Sequence, residues 1–261
     1  MGPPDFVGVG AQKSGTTWWF TSIVGHPEIE GQAVKETHFF DSYAGMAFDA
    51  DDVARYHRRF PRPEGRLIGE WTPRYMHDFW TPALLRHAAP DAKLLVLLRD
   101  PMSRFISGVG HETAQVLGSV RRGRRGYFGA MIANDALERS MYSHQLARLL
   151  THFDRDRLLV LQYEQCVLDP GAAMRRTFEF LGVDPETPNL TPPVGRVGRS
   201  HPPAEQPNHV LEDARIALEK DARRVHELFP EIDLALWPTV GGDAGRRRPQ
   251  MPLGLVAASA R

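Results

Sequence analysis

The chain reads as an α/β protein: a doubly wound central parallel sheet flanked by helices, with a P-loop-like nucleotide-binding turn after its first strand. Three observations lead there. The run Lys93-Leu94-Leu95-Val96-Leu97-Leu98-Arg99 is apolar without alternation, as in a strand covered on both faces. Shorter apolar runs at 67–70 and 157–162 are separated from it by stretches of helical periodicity. The first strand ends in Gly8-Val9-Gly10-Ala11-Gln12-Lys13-Ser14-Gly15-Thr16-Thr17, which passes directly into a helix, so backbone N–H groups and a helix N-terminus converge on one point.

In chain order, the first strand covers about 5–10, and the helix after the loop about 15–25, stopped by Gly25-His26-Pro27. Lys35-Glu36-Thr37-His38-Phe39-Phe40-Asp41 alternates as a strand end or an irregular edge. Residues 51–60 read as a helix with Asp51 or Asp52 as cap, 67–70 as a buried strand ending in Glu70, and 81–89 as a helix stopped by Pro90. After the strand at 93–99, Asp100-Pro101 opens a helix with proline at an early position. Residues 128–153 read as one long amphipathic helix, 157–162 as a strand, and 172–181 as a helix ended by Gly182. The Pro-, Gly- and Thr-rich stretch 184–207 is a long loop of the kind that often carries function, and 210–229 is the last helix. Residues 1–240 are thus expected to form a single domain, and 241–261 a disordered tail; no internal repeat is present.

Hydrophobic content of 42% and charged content of 25% are ordinary for a globular chain. Lys+Arg and Asp+Glu both number 32, so global charge makes no case for nucleic acid, and an anion site must be local. The single cysteine, Cys166, excludes an internal disulfide and a Cys-rich metal cluster and fits a reducing compartment. No apolar run has the length of a membrane span, and the first strand starts by about residue 5. The expectation is a cytoplasmic protein without a stable membrane anchor.

In the nucleoside-triphosphatase loop, G-x-x-x-x-G-K-[ST], lysine follows the second glycine. Here Thr16 holds that slot and Lys13 stands in mid-loop, which suits a phosphate-like group other than a γ-phosphate with its Mg²⁺. A second anion site is suggested by Arg99, a fork-shaped cation at a strand end, with Ser107 about two helical turns further on. A third set, Gly198-Arg199-Ser200-His201-Pro202, lies in the long loop. Together they suggest a ligand with two phosphate-like ends. The residues alone leave open a kinase-like phosphotransferase using ATP and Mg²⁺, or a non-catalytic nucleotide-binding scaffold.

With these motifs the chain resembles the sulfotransferases that use 3′-phosphoadenosine 5′-phosphosulfate (PAPS). Gly10 to Thr17 is similar to the family's 5′-phosphosulfate loop, and Arg99-Asp100-Pro101 with Ser107 to its 3′-phosphate motif. Four further segments agree in order with the carbohydrate branch, of heparan glucosaminyl type: Lys35 to Asp41, Glu70-Trp71-Thr72-Pro73-Arg74-Tyr75, Arg139-Ser140-Met141-Tyr142, and Gly198 to Pro202. The resemblance covers roughly 5–230 and implies a soluble, bacterial-type member with PAPS as co-substrate, PAP as product and no metal.

The resemblance implies roles residue by residue. Gln12, Lys13, Ser14, Gly15, Thr16 and Thr17 would hold the 5′-phosphosulfate, with Lys13 neutralising charge as the S–O bond breaks. Arg99, Ser107, Gly198 and Arg199 would hold the 3′-phosphate, with Tyr142 close by. Glu36 would be the base that takes the proton of the acceptor hydroxyl. His38 would share the catalytic site, and Asp41 would join them on the acceptor side. Trp71 stands where that branch usually has lysine, and its ring would suit a less charged acceptor: a sugar ring or an aryl or lipid group. The acceptor is expected to be a small molecule, glycoside or glycolipid. Asp100 replaces a common asparagine. Trp18 and Trp19 read as core packing, and the run Arg121 to Arg125 as a solvated loop.

Overall fold

The computed structural model describes residues 1–31, 35–62, 64–116, 125–187 and 206–241. Five strands, β1 (Phe6–Gly10), β2 (Ile29–Gly31), β3 (Leu67–Trp71), β4 (Lys93–Leu98) and β5 (Leu158–Gln162), pair in parallel in the order β2-β3-β1-β4-β5. Among the described residues the helices are α1 (Thr16–Ile23), α2 (Ala50–His57), α3 (Thr81–Ala88), α4 (Pro101–Val116), α5 (Arg125–Ser140), α6 (Tyr142–Leu150), α7 (Tyr163–Leu168), α8 (Pro170–Leu181) and α9 (Asn208–Leu228).

β1 is the middle strand, and the chain leaves it first toward β3 and β2, then crosses to β4 and β5. The carboxyl end of β1 is therefore the topological switch point, where open α/β sheets form their ligand crevice. The register between β1 and β4 shifts between Gly8 and Gly10, which breaks regular pairing just before the loop.

Alternation along the strands builds a core on each face. Leu94, Val96 and Leu98 of β4 join Val7 and Val9, the helices α2, α3, α6 and α9, and Tyr56 and Tyr75 on one face. Leu95 and Leu97 join Phe6, Trp71, Trp18, Trp19 and the helices α7 and α8 on the other. β4 is thus buried on both faces, as its unbroken apolar run requires. Trp19, expected in the core, is fully buried with Nε1 donating to Thr177 Oγ1 at 3.2 Å.

The sequence-based outline differs from the structure in several places. β2 is a three-residue edge strand, too short to show a period, and α7 adds a helix directly after β5. α2 is capped by Asp49, whose carboxylate accepts from the N–H groups of Asp51 and Asp52, while Asp52 reciprocates to the Asp49 N–H. The expected long helix over 128–153 is two helices, broken at Met141 (φ −86°, ψ 94°). The cause lies on α9: the buried Asp221 carboxylate accepts from the N–H of Tyr142 at 2.6 Å and of Ser143 at 3.2 Å. A carboxylate 79 positions away thereby takes over N–H groups that a continuous helix would use itself. The expected tail, 241–261, lies outside the described residues except for Gly241.

Candidate active site

The loop after β1 is shaped by one required glycine. Gly15 has φ +88°, and a Cβ there would lie 2.8 Å from the Tyr163 ring, so a side chain is excluded by both conformation and space. α1 begins at Thr16 with no capping side chain and no acidic residue in its first turn, which leaves its N-terminal N–H groups to an anion. Ser14 is fully buried, with its hydroxyl beside that of Tyr142. Lys13 is half-buried with φ +69°. Burial lowers its pKa below the usual lysine value, and the nearby Arg104 and Arg99 lower it further.

The turn from β4 to α4 closes on this loop. Arg99 Nη1 donates to the Lys13 carbonyl at 3.4 Å, and its guanidinium lies 5.4 Å from the centre of the Tyr163 ring. Arg104 is fully buried and holds Gln12 at two points, Nε to the backbone carbonyl at 3.0 Å and Nη2 to Oε1 at 3.3 Å. Its remaining bonds go to the Ala136 carbonyl at 2.8 Å and Ser140 Oγ at 3.2 Å. Without a carboxylate partner, burial pushes Arg104 down to about 10. Among the described residues no carboxylate oxygen lies within 4.0 Å of Lys13, Arg99 or Arg104. The loop is a local excess of positive charge inside a chain of zero net charge.

Tyr142 is fully buried, and its hydroxyl donates to the Arg99 carbonyl at 3.1 Å, so it braces Arg99. Burial raises its pKa. Asp100, also buried, accepts from Ser103 N–H at 2.8 Å through one oxygen. Its other oxygen accepts from Thr239 N–H at 3.0 Å and Thr239 Oγ1 at 2.6 Å. Glu164 accepts from Asp100 N–H at 2.9 Å and Trp237 Nε1 at 3.0 Å. An asparagine at 100 has one acceptor oxygen where this aspartate uses two. The C-terminal segment is thereby tied to the turn that carries Arg99. Ser107 sits half-buried on α4.

The segment after β2 carries the acceptor-side candidates. Glu36 (φ +68°) and His38 (φ +52°) are, with Lys13, the non-glycine residues of positive φ among the described residues. Such backbone costs of order 1–3 kcal/mol per residue and gathers at functional sites. Glu36 Oε1 pairs with Lys35 Nζ at 2.5 Å, and its Oε2 lies 3.5 Å from His38 Nε2. His38 Nδ1 lies 2.8 Å from Asp41 Oδ2, placing the ring between two carboxylates. Arg74 Nε pairs with Asp78 at 2.7 Å and approaches Asp41 at 3.7 Å. Glu36 is near enough to Lys13 to oppose the fall in its pKa.

One substrate-side expectation is overturned. Trp71 is fully buried, and a Cβ on Gly8 of the neighbouring strand would meet its ring at 2.0 Å, so the indole occupies the space that this glycine leaves. Strand alternation explains it: Glu70 takes the face toward Tyr56 and Tyr75, and Trp71 the opposite face, beneath α1. Gly198 and Arg199 lie outside the described residues, as do positions 121–124 of the basic run. Two buried groups, Arg104 and Glu70, were not singled out from sequence. Arginine at 104 and glutamate at the end of a buried strand were visible signals, since charges are rarely buried without a task.

These residues fit a donor with two anionic ends such as PAPS: an uncapped helix start and cations with no carboxylate in pairing distance among the described residues meet at one loop. No helix among the described residues is long and apolar enough to cross a membrane.

Comparison with known proteins agrees. The sulfotransferase domain family matches residues 3–196. Mouse heparan sulfate glucosamine 3-O-sulfotransferase 3A1 is 29% identical over 193 residues, which is 69% of this chain and 46% of that protein. The Dictyostelium discoideum membrane-associated sulfotransferase kil1 is 36% identical over 105 residues, 40% of this chain and 22% of that protein. The chain thus matches about half the length of the first of these relatives, or less. The sulfotransferase from Alicyclobacillus acidocaldarius superposes with a TM-score of 0.70 at 22% identity, over 90% of this chain and 99% of that one. The sulfotransferase domain of the Synechococcus PCC 7002 olefin synthase gives 0.54 at 18% identity, over 89% and 96%. With most of its length matched by the domain and its sheet shared with solved members, this chain belongs to the sulfotransferase family of enzymes.

Proposed function

We propose that the protein transfers the sulfuryl group of PAPS to a hydroxyl of a glycoside, glycolipid or other small acceptor, by in-line displacement and without a metal. The carrying observation is the cationic loop at the carboxyl end of β1, where no carboxylate among the described residues lies within 4.0 Å of Lys13, Arg99 or Arg104. PAPS supplies the sulfuryl group and a phosphate leaving group. Lys13 neutralises the leaving phosphate, the part a metal ion plays in phosphoryl transfer. The N-terminal N–H groups of α1 and the hydroxyls of Ser14, Thr16 and Thr17 hold the same end. Arg99 and Ser107, with Arg199, hold the 3′-phosphate.

An alcohol is a weak nucleophile at neutral pH and needs a positioned base. Glu36 takes that proton, and His38, set between Glu36 and Asp41, stands beside it. The carbohydrate-type acceptor follows from relatives whose names specify heparan sulfate glucosamine. A cytoplasmic setting agrees with the single, buried, reduced Cys166.

The test is transfer of label from [³⁵S]PAPS to glycoside, glycolipid and phenolic acceptors, with and without EDTA. Labelled product formed equally in both supports the proposal. Label transfer only with added Mg²⁺ overturns the metal-free mechanism, and phosphate transfer from ATP without label transfer sinks the proposal in favour of a kinase-like enzyme.

A further inference from the structure

Glu36 and His38 flank Thr37, and in this segment it is Thr37 and Phe39 that are tied into the protein. Thr37 Oγ1 donates to Glu70 Oε2 at 2.6 Å and lies 2.9 Å from the Tyr75 hydroxyl. The Tyr75 oxygen accepts from the Phe39 N–H at 3.0 Å. Thr37 spends its only hydroxyl proton on Glu70. A file results: Phe39 N–H to Tyr75 and Thr37 O–H to Glu70, joined by the Tyr75 hydroxyl, which lies 2.9 Å from Thr37 Oγ1 and also donates to Glu70 Oε1 at 3.5 Å.

The file ends on a fully buried carboxyl group. Glu70 also accepts from Thr72 Oγ1 at 2.8 Å and from the Tyr56 hydroxyl at 2.7 Å, and no cation lies within 4.0 Å among the described residues. Burial raises its pKa while the hydroxyl donors work against that rise. A carboxyl group buried without a counter-charge is a costly way to fill space, and an apolar side chain of that volume would do it better. What this one holds is the backbone at 37 and 39, alternating with the residues that face outward at 36 and 38. A left-handed backbone at 36 and 38 persists only where the surroundings dictate it.

We propose that Glu70 is a positioning residue for sulfuryl transfer: through Thr37 and Tyr75 it sets the 36–38 backbone and so aims Glu36 and His38 at the donor loop. This rests on reading Glu36 as the base. It assigns a task to a group that never meets either substrate.

Thr37→Val is the leading test, because it removes the link while leaving the half-buried position filled, and Thr37→Ser is its rescue. Thr37→Val is expected to lower kcat about 10- to 100-fold, the range for a misaimed group. The affinity for PAP, measured by calorimetry, should stay within about twofold, and Thr37→Ser should restore most of kcat. Glu70→Gln should lower kcat in the same way, and the double variant should lose no more than the worse single one. Wild-type kcat in Thr37→Val, while Glu36→Gln is inactive, overturns the positioning role and leaves the base standing. A loss in Thr37→Val shared by PAP affinity, or not rescued by serine, also overturns it. Full turnover in Glu36→Gln defeats the base assignment, a separate and distinguishable outcome.

Discussion

The two sides of the crevice are built on opposite electrostatic plans. On the donor side Lys13, Arg99 and Arg104 meet neutral oxygens and aromatic rings, with no carboxylate in pairing distance among the described residues. On the acceptor side Lys35 pairs with Glu36, Arg74 with Asp78, and His38 lies between Glu36 and Asp41. The donor side thus carries positive charge without carboxylate partners in pairing distance, which suits a ligand with two anionic ends. The acceptor-side charges are paired among themselves, and the segment that carries them is held by hydrogen bonds.

That contrast can be broken most directly at Lys13. Lys13→Ala should reduce kcat/KM about 10²- to 10³-fold, the scale of losing one charge-stabilising group. Steady-state kinetics should show loss in both KM for PAPS and kcat; an effect confined to acceptor KM would contradict the assignment. Glu36→Gln should lower kcat about 10²- to 10⁴-fold, the usual worth of a general base, with PAP affinity unchanged by calorimetry.

Arg104 probes the buried support of the donor side. Arg104→Met leaves Gln12 without its donors and should cost about 1–3 kcal/mol in unfolding free energy, together with weaker PAP binding. Denaturant titration and calorimetry read the two effects.

Titration offers a finer test. Lys13 loses its proton at a pH below the ordinary lysine range, because burial and two arginines disfavour the charge. PAP affinity should therefore be retained at neutral pH and fall as pH rises, with a midpoint below 10.5. The smallest expected effect is at Thr239→Val, which removes one hydroxyl donor from Asp100. It should weaken PAP by about 1 kcal/mol while leaving adenosine 5′-phosphosulfate, which lacks the 3′-phosphate, unaffected.

Much of this was legible beforehand because it depends on local order. The unbroken run at β4, the glycines before α1 and the Asp100-Pro101 start of α4 each follow from chain-local physics, and each stands where expected. The break at Met141 was not legible, since Asp221, which causes it, comes from α9. The fate of Trp71 was hidden for a related reason. A one-residue alternation decides the face a strand residue takes, and the vacancy for the indole is made by Gly8 on another strand. The bond by which Tyr142 braces Arg99 depends on α6 starting anew at 142, which is set by the same distant carboxylate.

By itself, then, the chain determined four of the five strands, most of the helices between them and the glycine-rich loop after the first strand. Periodicity, glycine conformation and charge chemistry act within a few residues of where they are written. Only tertiary structure decided which charges go unpaired, which rings are buried, and that Glu70, 34 positions beyond Glu36, reaches that segment through a file of hydroxyls. Pairing and burial are properties of meetings between distant segments, and the parallel sheet, with β1 at its centre, is what brings those segments together.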